Sequence, residues 1–184
     1  MNAVVASLLE ILKYTAPAVV VLLAAYFIVQ RFLVNEHLRK QTALFHDTQK
    51  TTLPLRMQAY ERLSIFVERI APVALANRVY HPDMSVAVMR HFLTQTIHAE
   101  YEHNMSQQIY VSRQVWETVK QAKDQELSMI NQIAAQMDGE TPARELVARI
   151  NDFVLSSEQE LPSAIALAVI SEEAKRVLSY GAAA

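Results

Sequence analysis

Glycine occupies only two of the 184 positions, Gly139 and Gly181. Hairpins and tight β turns draw on glycine for backbone angles that other residues resist, so this supply argues against a β-rich domain. The chain is read as all-α. No cysteine is present, which removes a disulfide framework and thiol chemistry. The net charge of -2 argues against a dedicated nucleic-acid binder, which would be strongly basic.

The second constraint is an apolar stretch from Tyr14 to Val34, with no charge between Ala16 and Val29. As a helix it rises roughly 31 Å, about one hydrocarbon thickness, and is expected to be a transmembrane helix. Tyr14 and Tyr26 lie at or within it, Arg31 closes its end, and Pro17 falls near its start, where a missing donor does least harm. It does not read as a cleaved signal peptide, because Gln30-Arg31-Phe32-Leu33-Val34 follows where small residues belong. Lys13 precedes the stretch, whereas Arg31, Arg39, Lys40 and Lys50 follow it; this imbalance puts the C-terminal part in the cytoplasm. The plainer alternative is a buried helix of a soluble protein, since Ala16 to Val29 alone is shorter than a full span.

Four regions follow from the pattern. Residues 1–13 form an amphipathic lead with Val4, Val5, Leu8, Leu9 and Leu12 on one face. Residues 14–34 are the span, and 35–53 a helical extension that Leu53-Pro54 is expected to break. Residues 54–184 form a cytoplasmic bundle of about five helices. Its first helix, from Pro54 to Ile70, carries the seam Leu55, Ala59, Leu63, Phe66 and Ile70; this is the candidate interaction surface. Further helices are expected from Met84 to Tyr110, with Val88, Phe92, Ile97 and Tyr101 inward, and from Arg113 to Asp138, capped by Ser112 and stopped by Gly139. The latter buries Trp116, Val119, Ile130, Ile133 and Met137. Thr141-Pro142 opens a fifth helix, Pro162 starts a sixth that ends at Gly181, and the apolar run Ala164 to Ile170 is expected to be buried in protein.

Sites of chemistry are sparse. Glu100-x-x-His103 is half of the motif used by di-metal helical bundles, which need a second such pair and two further glutamates. No second pair exists, so Glu100 and His103 are weak metal candidates beside the plainer reading of a solvated charged face. No phosphate loop, dinucleotide fingerprint or nucleophile elbow is present, and no catalytic residue or cofactor is expected. Asn104-Met105-Ser106 is a formal glycosylation sequon without meaning inside a cytoplasmic helix.

Two segments carry a resemblance. Leu55-Arg56-Met57-Gln58-Ala59-Tyr60-Glu61-Arg62-Leu63 followed by Glu68-Arg69-Ile70 is one, and Glu100 to Ser112 with Trp116 is the other. With the stretch Tyr14 to Val34 and the tail Glu172 to Leu178, they resemble a family of uncharacterised single-pass membrane proteins of Bacteroidota. The resemblance implies a bacterial inner-membrane protein and supplies no catalytic residue. The expected function is therefore a non-enzymatic anchored scaffold. Its partners are membrane lipid and further copies of itself; the alternative is an accessory subunit of a transport, motility or respiratory complex, and a third reading is a metal-dependent enzyme.

Overall fold

A computed structural model describes the backbone of residues 3–157 and 159–182, and side chains at 10, 13, 15, 19–33, 36, 50–157 and 159–179. Among the described residues six α-helices follow in order: α1 (Ala3–Ile70), α2 (Pro72–Val79), α3 (Val86–Asn104), α4 (Arg113–Ala135), α5 (Ala143–Ser156) and α6 (Pro162–Ala182). A 3-10 turn, Met105–Ile109, joins α3 towards α4. The described residues form no strand, only one isolated bridge between Ser85 and Pro142. The chain divides into two compact units, Met1–Lys50 and Thr51–Ala184.

The first unit is helical, and every large apolar side chain described from Val19 to Leu33 is 48–69% exposed. Tyr26 and Phe27 meet edge to face at 5.8 Å, and Tyr26 Oη accepts from Gln30 Nε2 at 3.2 Å. Among the described residues no helix is long and apolar enough to cross a membrane. The transmembrane helix expected from Tyr14 to Val34 is therefore not found among the described residues. The side chains of Tyr14 and Pro17 lie outside the described residues, as do those of Val4, Val5, Leu8, Leu9, Leu12, Arg39 and Lys40.

The expected break at Leu53-Pro54 does not occur: α1 runs through it to Ile70. Proline inside a helix removes one i→i−4 bond and crowds the preceding turn, at a cost of about 3 kcal/mol. Contacts just downstream offset this. Pro54 faces solvent, while Ala59, Tyr60, Leu63, Phe66, Val67 and Ile70 bury one face of the same helix. Arg56 Nε also donates to the Tyr110 carbonyl at 3.1 Å, holding the turn after the proline.

In the second unit α4 packs most extensively against α6 and then α3, while α2 packs against α5. The inward face of α3 is Val86, Met89, Leu93 and Ile97; of the expected stripe Ile97 is buried and Tyr101 half-buried against the core, whereas Val88 and Phe92 are exposed. Val119, Ile130 and Ile133 of α4 are buried as expected, with Trp116 and Met137 half-buried at the margin. The run Ala164 to Ile170 is not buried throughout: Ala166 and Ile170 are, whereas Ile165 is exposed. An apolar α6 residue still needs a neighbour on its own side, and α6 presents only one face to α4.

The starts of α3 and α5 hold each other. Val86 N–H donates to Thr141 O at 2.8 Å, Ala87 N–H to Gly139 O at 3.0 Å, and Ala143 N–H to Met84 O at 2.9 Å. The first amides of a helix have no partner within it, and side-chain caps are the usual remedy. Here backbone carbonyls take that part, and neither Ser85 nor Thr141 supplies a side-chain cap. Gly139 is likewise not the expected stop, since α4 ends at Ala135 and no described glycine has positive φ. A Cβ at Gly139 would lie 3.3 Å from the Ala87 Cβ, so this glycine permits the close approach of the two segments. At the other end, α6 continues past Gly181 to Ala182.

Candidate functional site

Three carboxylates organise the second unit. Glu173, on α6, lies in register with Ala166 and Ile170 and is carried by them to the interior edge. Its Oε1 accepts from Tyr60 Oη at 2.7 Å and from Ser112 N–H at 2.9 Å; Ser112 Oγ donates to Oε2. The same serine oxygen accepts from Val115 N–H at 3.2 Å, so Ser112 caps α4 as expected and also ties it to α6. Arg56 Nη2 completes the cluster, donating to Tyr60 Oη at 3.0 Å and standing 4.0 Å from Glu173 Oε1. Burial pushes the Glu173 carboxyl up, but the Ser112 and Tyr60 hydrogen bonds and the Arg56 charge outweigh it and hold it below its ordinary value. Tyr60 moves the other way: burial and then the Glu173 carboxylate push its hydroxyl up to about 12.

Glu100 belongs to an ion pair. Its Oε1 receives Arg69 Nε at 2.7 Å and Arg69 Nη2 at 2.5 Å, with Arg78 Nη2 at 3.8 Å. A cavity of about 330 Å³ lies beside it, lined by Arg62, Phe66, His103 and Asn104 among others. His103 is exposed, and no group of three or more His, Cys, Asp or Glu side chains suited to a metal is found among the described residues. Asn104 of the sequon is buried and donates from Nδ2 to the Glu100 carbonyl at 2.8 Å.

Glu126, on α4, is completely buried, and neither carboxylate oxygen has a hydrogen-bond partner. Ser163, buried in the first turn of α6, faces it with its hydroxyl and its backbone N–H, neither at bonding geometry. Burial pushes the Glu126 carboxyl up to about 7, against the opposing pull of Ser163. A helix start favours an anion by roughly 0.3–1 kcal/mol, so loss of hydration is the larger effect here. One turn earlier Lys123 is also buried, with Nζ 2.8 Å from Asp124 Oδ1 and 4.4 Å from the centre of the Tyr101 ring. Tyr101 in turn stacks on Trp116 at 5.6 Å.

The candidate interaction seam therefore divides. Ala59, Leu63, Phe66 and Ile70 are core of this one chain, and Leu55 alone stays exposed, beside Ile109 and Tyr110 around a cavity of about 350 Å³. Of the membrane candidates, Tyr26 and Arg31 are exposed on α1. The sequence reading missed Glu126 and Glu173, although both carried a signal. Each stands in phase with an apolar stripe, Val119-Ala122-Glu126-Ile130-Ile133 and Ala166-Ile170-Glu173-Val177. A charge in register with a core face is the sign of a buried ionisable group.

These features define an all-α protein in which an apolar helical segment precedes a helical domain whose buried polar groups join helix to helix. The chain belongs to the family of unknown function DUF7935, whose pattern it matches over residues 6–177. No curated protein and no solved structure matches it.

Proposed function

We propose that the protein is a non-enzymatic scaffold unit, held at a membrane by the apolar part of α1 and assembling with copies of itself. One observation carries this reading: from Val19 to Leu33 large apolar side chains stand exposed around the helix, with Gln30 and Arg31 the charged or amide residues among them. Burying each of them is worth about 1.5–3 kcal/mol, so lipid or protein must cover them. The flanking residues Tyr14 to Ala18 and Val34 extend the apolar sequence to bilayer length, with Tyr26 and Arg31 in or beside it. The charge imbalance across the stretch favours a cytoplasmic helical domain, and the family resemblance favours a bacterial inner membrane.

Self-association draws support from apolar surface that the domain leaves open. Ile109 is 74% and Leu155 84% exposed, and Leu55, Ile65 and Phe153 are exposed as well. Patches of this kind mark interaction sites. A structural role accords with the carboxylates, since Glu100 and Glu173 are engaged in binding one helix to another.

Expression of the full chain followed by alkaline carbonate washing tests the anchor; the protein should stay with the membrane pellet. Release into the wash would overturn anchoring and favour a protein partner for Val19 to Leu33. Light scattering in mild detergent tests assembly, and a monomer at micromolar concentration would overturn the scaffold and favour an accessory subunit.

A further inference from the structure

We propose that Glu126 is a proton-operated latch that sets how firmly the first turns of α6 dock on α4. The geometry comes first. Glu126 is 0% exposed, both its oxygens lack a hydrogen-bond partner, and it sits opposite Ser163 in the opening turn of α6. In that place a protonated carboxyl is nearly an apolar side chain with a donor to offer Ser163. An ionised one is a buried charge without a counter-ion. No charged side chain acts on it among the described residues: from α6 only Ser163 bears on it, and Lys123 of α4 is committed to Asp124 and the Tyr101 ring. No ionisable group of α3 or α5 acts on it either.

The anion can recover its hydration in one way, by separation of α6 from α4 at this end. The middle of α6 is held differently. Glu173, ten residues beyond Ser163, binds Ser112 and Tyr60 as an anion and is held below its ordinary value. Loss of the Glu126 proton therefore frees the start of α6 while Glu173 keeps the rest in place. Opening would uncover Ala166 and Ile170 beside the already exposed Ile165, an apolar strip released near neutral pH.

The sign follows from linkage. The closed carboxyl is raised to about 7 and the opened one returns to its ordinary value of 4.5. Closure is therefore fully stabilised below about 4.5, weakens as pH rises from there to about 7, and weakens no further above. Hydrogen exchange of the full chain in detergent, at pH 5 and pH 7, reads this directly when each value is divided by that of Glu126→Gln at the same pH. Amides from Ile165 to Ile170 should open at least roughly tenfold more readily at pH 7 than at pH 5, while those around Glu173 keep one ratio. Equal ratios at both pH values would overturn the latch. Should Glu126→Gln fail to fold, Glu126→Met serves as the reference, because it fills the same volume without ionising. An α6 opening that, after correction for the intrinsic pH dependence of amide exchange, still differs between pH 5 and pH 7 in either variant would also overturn it.

Discussion

Glu173 and Glu126 show how one residue type takes opposite characters in a single interface. Hydrogen bonds from Ser112 and Tyr60 outweigh burial at Glu173; at Glu126 nothing outweighs it. Removing the charge at Glu173 by Glu173→Gln is expected to destabilise the domain by about 1–3 kcal/mol, because Ser112 and Tyr60 lose a charged acceptor. Urea unfolding monitored by circular dichroism measures this. Because the folded Glu173 carboxyl is depressed, its contribution is complete above the ordinary carboxylate value and is lost as pH falls through the folded value. The wild type should therefore be more stable than Glu173→Gln at pH 7, with a smaller gap at pH 3. A second residue-scale expectation concerns Gly139. Gly139→Leu forces a side chain against Ala87 and should cost about 1–3 kcal/mol in the same assay.

At the scale of elements, what the sequence disclosed was local. Ser112 as a cap, Pro162 as a first-turn residue and the stripe of Arg113–Ala135 were legible because each depends on neighbours within a turn or two. The face of α3 was not, since Val86-Met89-Leu93-Ile97 and Val88-Phe92 both offer apolar side chains. Packing against α2, α4 and α5 chooses between them. Pro54 was misread for a similar reason, as its local penalty is overridden by Arg56, Tyr60 and Leu63 one or two turns on. Pro54→Ala should then restore the missing bond in α1 and raise the thermal midpoint, by up to about 3 kcal/mol of stability. A lowered midpoint would show that the ring itself packs usefully. The paired starts of α3 and α5 escaped sequence reading because the donors and carbonyls involved are backbone atoms, which every residue shares.

For the whole molecule, the division at Lys50 and Thr51 carries its own expectation. A chain beginning at Thr51 places Pro54 within its first turn, where proline suits a helix start, and retains every described core residue. It should unfold in one cooperative transition with a midpoint within a few degrees of the full chain, by circular dichroism. A non-cooperative melt would mean that the second unit depends on the first. The contact between Tyr60 and Glu173 bears on how the protein is made. These partners are 113 residues apart, and Glu173 lies on the last helix. At a synthesis rate of about 5–20 residues per second, Tyr60 waits roughly 6–23 s for its partner to be translated. Through that interval Leu63, Phe66 and Ile70 have no finished core to enter. The seam therefore stays open while the chain is still being translated, and the domain closes only once its last helix has been made.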